Sequence, residues 1–277
     1  MKKIALVCVN YNNSKYTKFL VNSIMLNSVD KNMLDRLEIL IVDNSDSIFE
    51  RDKLILELEE FNSVHILYPP ENVGYFHGIN FALRSLNIDI FDYIIIGNND
   101  LIYDENFLKN LTSANYPLDC MVVCPDVVTV AGQHQNPHHI HQLSKLQVLL
   151  FDLYFSNYVF AVILSKVNSL RKRFIKRISP MIPDHVMEIY QGVGACYVLM
   201  PSFFCENSEL YFPGFLYGEE ACLSHQVNNS GGKLYFDPGL LVTHDESATL
   251  SKLPSLKTYQ FGRESYWKFR EILNYEA

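Results

Sequence analysis

No Cys-x-x-Cys pair occurs among the six cysteines of this 277-residue chain, Cys8, Cys120, Cys124, Cys196, Cys205 and Cys222. A chain of this length buries a core without disulfide staples, so they read as reduced thiols of the cytoplasm. Cations are scarce: 23 Lys and Arg against 31 Asp and Glu leave a net charge of −8. That balance argues against nucleic acid as a partner, because neutralising phosphates needs a basic surface. No uninterrupted apolar run approaches the ~20 residues of a transmembrane helix. The N-terminal apolar run, "IALVCV", is shorter than the ~7–15 residues of a signal-peptide core, so it reads as a first strand. Internal repeats and low-complexity tracts are also missing. What remains is a chain that is 48% hydrophobic, enough for one large core or two modest ones.

The first hundred residues alternate between apolar runs and helical patterns. Residues 4–10 "IALVCVN", 37–45 "LEILIVDNS", 63–68 "SVHILY" and 93–100 "YIIIGNND" read as strands. Segments 15–28, 47–61 and 75–87 read as helices between them, and "DENFLKNL" opens another with acids in its first turn. Strands that are apolar throughout and separated by helices make a mostly parallel sheet covered on both faces, a doubly wound α/β domain. Later come a strand over 120–130, a helix over 219–228, "KLYFDPGLLVTHDES" as two short strands or one broken strand, and an amphipathic helix over 257–273.

Ligands of such sheets sit outside the carboxyl ends of the strands. Polar residues gather there: Asn10 and Asn12, Asp43 and Asn44, Asn72, then Asn98, Asn99 and Asp100. One such residue is ordinarily a turn former; a recurrence at four strand ends points to a binding edge. Asp100 suits a hard divalent cation, which prefers oxygen donors, and Asn98 or Asn99 a ribose or sugar hydroxyl. Glu219 and Glu220 open a helix, where the ordinary reading is dipole complementation. Neighbouring carboxylates face different ways, so one suits a general base and the other a hydroxyl contact. His134, His138, His139 and His141 lie in a polar loop without the spacing of a structural zinc site.

Segment 146–177 is dense in apolar and aromatic residues, is interrupted by Asp152 and Asn157, and ends in six cations with no acid between Asp152 and Asp184. Two readings stand: an interfacial helix drawn to anionic lipid, or a helical insertion on the sheet with a solvated basic end.

In order along the chain, "VCVNYNN", "ILIVDNSDS", "ENVGYFHGIN", "GNND", "FLYGEEACL" and "VTHDESAT" resemble the successive motifs of the family-2 glycosyltransferases of GT-A fold, especially the rhamnosyltransferase-like branch of bacterial surface polysaccharide synthesis. The resemblance implies one GT-A domain over 1–277. Its nucleotide-binding half would be 1–115 and its acceptor and metal half 116–250, with a helical insertion at about 141–180 and a helical tail over 251–277. It implies that Asp43 binds the nucleobase with Asn10, Asn12 and Asn44 near the nucleoside. Asn72, Gly74 and Asn80 would shape the nucleotide pocket, Asn98 and Asn99 would line it, and Arg263 would touch a phosphate. Asp100 and His244 would hold Mg²⁺ or Mn²⁺. Glu220 would be the catalytic base and Glu219 an acceptor or sugar contact.

The implied reaction is an inverting transfer of one sugar, rhamnose in that branch, from a nucleotide diphosphate sugar to a glycan or lipid-linked glycan, at the inner face of the cell membrane if 146–177 docks there. Two departures stand out. Asn98 replaces the first metal-motif acid, and Glu220 stands where Asp is usual. No Gln-x-x-Arg-Trp follows Glu220, which speaks against a processive synthase. The alternatives are a degenerate, non-catalytic binding scaffold and a sugar nucleotidyltransferase. The latter is disfavoured because "NYNNSKY" offers no glycine-rich phosphate loop.

Overall fold

The structure is a computed structural model, and the residues it describes are 2–26, 35–174, 182–245 and 255–273, with the side chains of 171–174 excepted. Nine strands form one sheet in the order β3-β2-β1-β4-β8-β6-β9-β5, with β7 added against β9. They are β1 (Ile4–Asn10), β2 (Leu37–Asp43), β3 (Val64–Leu67), β4 (Tyr93–Asn98), β5 (Leu101–Tyr103), β6 (Cys120–Thr129), β7 (Met187–Ile189), β8 (Cys196–Leu199) and β9 (Lys233–His244). The helices are α1 (Ser14–Leu26), α2 (Ile48–Leu58), α3 (Tyr75–Leu83), α4 (Phe107–Ser113), α5 (Lys145–Ser156), α6 (Tyr158–Phe174), α7 (Pro201–Glu206), α8 (Glu219–Asn229) and α9 (Leu256–Phe269).

The apolar runs of β1, β2 and β4 are buried on both sides, which is why they carry no alternation. One face packs Leu6, Ile39 and Ile95 against Leu20 and Ile24 of α1, Leu54 of α2 and Phe107 of α4. The other packs Val7, Leu40 and Ile96 against Phe76 and Ile79 of α3, Leu223 of α8 and Tyr266 and Phe269 of α9. Helix starts follow local chemistry: Ser47, Ser144 and Ser255 each accept a backbone N–H at the beginning of α2, α5 and α9. Pairing is parallel through β3, β2, β1 and β4, and mixed beyond, where β8 runs antiparallel to both β4 and β6.

Three expectations are refined. Residues 233–244 form one strand with a register shift opposite Pro125 and Asp126, so the break at Asp237–Gly239 is an irregularity within β9. The insertion is two helices, parted at Asn157, whose Oδ1 accepts the N–H of Val159. Asp152, which interrupts the apolar pattern of 146–177, is turned toward α9, where it accepts hydrogen bonds from Tyr266 Oη at 2.6 Å and Arg270 Nη2 at 2.8 Å. Among the described residues no helix is long and apolar enough to cross a membrane. The basic end beyond Leu170, including the side chains of Arg171, Lys172 and Arg173 and all of 175–177, lies outside what is described.

Candidate active site

Parallel pairing places the carboxyl ends of β1, β2 and β4 side by side: Asn10 is the register partner of Asp43, and Val9 that of Asn98. Asn10, fully buried, is the hub. Its Nδ2 donates to Asp43 Oδ1 at 2.9 Å and to Ser45 Oγ at 3.2 Å. Its Oδ1 accepts from Thr17 Oγ1 at 2.8 Å and Asn99 Nδ2 at 3.2 Å. Asp43 Oδ1 also takes the N–H and hydroxyl of Ser45. Its other oxygen, Oδ2, is buried and accepts nothing; Arg51 Nε stands 3.9 Å away. A buried carboxylate oxygen with no donor costs on the order of 1–3 kcal/mol or more, so this atom is suited to a ligand's N–H.

Around it, Asn12 takes a left-handed φ of 51° and exchanges hydrogen bonds with Asp46, whose carboxylate also receives the Tyr11 hydroxyl. Asn44 Nδ2 donates to Gly74 O at 3.0 Å, and its Oδ1 is a second buried oxygen without a donor. Asn72 Oδ1 accepts the N–H of Gly74 at 3.0 Å. Gly74 has a φ of 84°, and a Cβ there would stand 2.3 Å from the Phe215 carbonyl oxygen, so only glycine fits. Asn80 is fully engaged elsewhere, with Nδ2 to Leu210 O at 2.8 Å and Oδ1 from Leu210 N at 2.9 Å, tying α3 to the 207–214 segment.

The Asn98-Asn99-Asp100 knot divides its work. The Asn98 N–H donates to Ala195 O at 2.9 Å. Asn99 Nδ2 braces the turn before α1 through Asn10, Asn13 and Thr17. Asp100 turns toward His244, which β5–β9 pairing sets opposite Leu101. Asp100 Oδ1 and His244 Nε2 are 3.3 Å apart, yet this oxygen is buried without a hydrogen bond. His244 Nδ1 meets Gln135 Oε1 at 2.9 Å. An amide oxygen accepts, so Nδ1 carries a proton, and in the neutral ring Nε2 offers its lone pair to the same space as Asp100 Oδ1. Two lone pairs at this distance repel unless a proton on Nε2 or a cation lies between them. A divalent ion about 2.0–2.2 Å from each donor fits that spacing. Among the described residues no group of three or more His, Cys, Asp or Glu could hold a metal, so these two donors would form only part of a coordination sphere.

The acid pair stands at the start of α8, presented by consecutive left-handed residues, Tyr217 at φ 70° and Gly218 at φ 105°. A Cβ on Gly218 would lie 2.1 Å from Phe269 Cε1, so α9 supports this turn directly, and Ser265 Oγ donates to Leu216 O beside it at 2.7 Å. Glu219 is buried; burial and the adjacent Glu220 charge push its carboxyl well above the usual range. Glu220 is raised by burial, against the pull of the Gly194 N–H, which donates to its Oε1 at 3.3 Å. The segment holding Glu220 is the one holding the knot: Ala195 O accepts from Asn98, and Gly194 O accepts from Tyr75 Oη at 3.2 Å.

Arg263 sits apart from this edge. Its Nε donates to Phe155 O at 2.8 Å at the end of α5, in a groove of about 630 Å³ that Trp267 and Tyr158 also line. His134 is bound to the buried Asp126 at 2.8 Å, and the rings of His138 and His139 pack together. Sequence reasoning missed Gln135, Arg51 and Tyr217, and marked Gly218 only as the glycine before the acids. Only the Tyr-Gly dipeptide before the acids carried a local signal.

Several solved structures share this fold. The S. aureus TarS 1-349 fragment in complex with UDP-GlcNAc superposes with a TM-score of 0.57 at 14% identity, over 98% of this chain and 65% of that one. The mannosyltransferase PcManGT from Pyrobaculum calidifontis, in complex with GDP-Man and Mn²⁺, gives 0.54 at 13% identity, over 98% and 61%. GalNAc-T7 with UDP, GalNAc and Mn²⁺ gives 0.55 at 14% identity, over 88% and 43%. The chain thus spans less than two thirds of each. No curated protein matches it. The architecture is that of GT-A glycosyltransferases. Residues 6–178, more than half of the chain, match the model of glycosyl transferase family 2, and the chain belongs to that family.

Proposed function

We propose that this protein transfers one sugar from a nucleotide diphosphate sugar to a hydroxyl of a glycan or lipid-linked acceptor, with inversion. The observation that carries the reading is the pair of donor atoms, Asp100 Oδ1 and His244 Nε2, facing one another at 3.3 Å on the edge where Asp43 Oδ2 is also buried without a donor. Asp43 and Asn44 would receive the nucleobase and ribose. Asp100 and His244 would hold Mg²⁺ or Mn²⁺, which as a Lewis acid would stabilise the leaving diphosphate. Asn98 leaves Asp100 as the single carboxylate of its cluster, so the donor's phosphates are expected to complete the ion's ligands.

Glu220, fixed by the Gly194 N–H and raised by burial, would take the acceptor hydroxyl's proton as that oxygen attacks the anomeric carbon. The sugar–phosphate bond breaks on the opposite face. Glu219 would orient the acceptor or sugar. UDP-GlcNAc, GDP-Man and Mn²⁺ in the neighbours' structures support a nucleotide sugar and a divalent ion here. Rhamnose as the sugar and surface polysaccharide as the product rest on the motif resemblance.

The acceptor would lie on an anionic membrane surface, docked through 146–177. With Asp152 turned inward, the outer faces of α5 and α6 expose Leu149, Leu150, Phe160, Ile163 and Val167 with no acid among them. Transfer from a panel of radiolabelled nucleotide sugars to membrane extracts tests the whole reading. Turnover lost in Glu220→Gln with nucleotide binding retained supports it. Binding without turnover in the wild type, unaffected by that substitution, would favour a binding scaffold.

A further inference from the structure

Two consecutive residues of the loop after β6 reach opposite parts of the candidate site. Gln135 Oε1 accepts from His244 Nδ1 at 2.9 Å. Asn136, buried, accepts the N–H of Val193 on its Oδ1 at 2.9 Å and donates from Nδ2 to Pro125 O at 2.8 Å. Val193 precedes Gly194, whose N–H carries Glu220, and Ala195, whose carbonyl takes the N–H of Asn98. The loop itself is anchored to β6, with Gln135 N on Val127 O at 2.8 Å and an isolated bridge between His134 and Val128. One dipeptide thus points one side chain at the histidine and the next at the turn before β8, whose Gly194 N–H binds the acid.

We propose that Gln135 and Asn136 are positioning residues that act as a unit. Gln135 fixes the tautomer and tilt of His244 so that Nε2 faces Asp100, while Asn136 sets the height of the Val193–Ala195 segment and with it Glu220. The dipeptide thereby fixes the spacing between the cation site and the acid pair. This rests on the function proposed above, since it assigns the two residues to the same cation and base. The chemistry is general. A ring N–H bound to a fixed acceptor leaves the other nitrogen as a ligand of set direction, and losing such a partner typically lowers metal affinity 10–100-fold.

Mn²⁺ binding separates the two ideas, because it is read without turnover. Titration followed by electron paramagnetic resonance, with UDP, GDP or dTDP present, should show wild-type binding with at least one nucleotide. Gln135→Ala should weaken Mn²⁺ by about 10–100-fold, with nucleotide affinity in the absence of metal and the melting temperature unchanged. Gln135→Glu, which keeps an acceptor oxygen for the Nδ1–H and leaves a partly exposed position polar, should restore it. Asn136→Asp, which keeps the acceptor for Val193, should leave Mn²⁺ affinity intact yet lower kcat and shift its pH profile. Wild-type binding together with unchanged affinity in Gln135→Ala overturns the positioning role while the proposed function stands. No Mn²⁺ binding by the wild type with any nucleotide overturns both.

Discussion

Asp43 Oδ2 lies 3.9 Å from Arg51 Nε, outside hydrogen-bond range, while Asp43 Oδ1 takes three hydrogen bonds. The carboxylate therefore has one oxygen committed to the fold and one left over. Asp43→Asn, with its amide oxygen in the Oδ1 position, keeps the network and replaces the free acceptor by a donor. Nucleoside diphosphate affinity should fall about 10–100-fold, the worth of one charge-assisted hydrogen bond of about 1.5–3 kcal/mol. Thermal stability should change little. Calorimetric titration measures the first and melting curves the second.

Glu219 supplies a pH-dependent prediction. Its carboxyl is pushed above the usual 4.5 by burial and by Glu220, so the folded state holds a proton that the unfolded chain releases. The stability this gives is fully present below about pH 4.5 and is lost as pH rises through the raised folded value. Glu219→Gln removes the group and should flatten the curve. The two proteins should melt together near pH 4.5, and the variant should melt higher at pH 8. A gain of about 2–4 °C corresponds to roughly 1 kcal/mol at this chain length. Equal melting temperatures at both pH values would show that the acid pair is not desolvated.

Gly74→Ala should be severe for a geometric reason. The new Cβ would stand 2.3 Å from a backbone oxygen, which cannot rotate away, in a conformation with φ 84°. A loss of about 2–3 kcal/mol is expected, and nucleotide binding should fall with it because Gly74 O is the partner of Asn44. Urea unfolding checks the first and a thermal shift with nucleotide the second.

The helical pair α5–α6 should carry the membrane contact. Replacing Leu149, Phe160 and Ile163 with serine or glutamine removes exposed apolar surface without touching the Asp152–Arg270 pair. Flotation with vesicles of anionic lipid should drop at least tenfold while the melting temperature holds. Equal flotation of variant and wild type would remove the membrane from the account.

Much of the fold was legible in the sequence because it is written locally. β1, β2 and β4 are buried on both faces, so unbroken apolar runs betray them, and their polar ends mark the binding edge. The unread parts depend on distant partners. Gln135 lies 109 positions from His244, in a loop whose histidines drew the eye instead. Asp152 read as an interruption of an apolar segment because its partners, Tyr266 and Arg270, lie more than a hundred residues downstream. Asn80 and Arg263 stood in motif positions, but their hydrogen bonds go to the Leu210 backbone and to Phe155 O, contacts that no local pattern encodes.

The most direct test is a melting-temperature panel of UDP, GDP, dTDP and their sugar conjugates, with and without Mn²⁺, on the wild type and Asp100→Asn. A ligand that binds the native state raises the melting point by mass action. One nucleobase should give a shift that grows with Mn²⁺ in the wild type and loses its metal dependence in Asp100→Asn. Shifts absent from every combination, or identical with and without metal in both proteins, would contradict a cation site at Asp100 and His244.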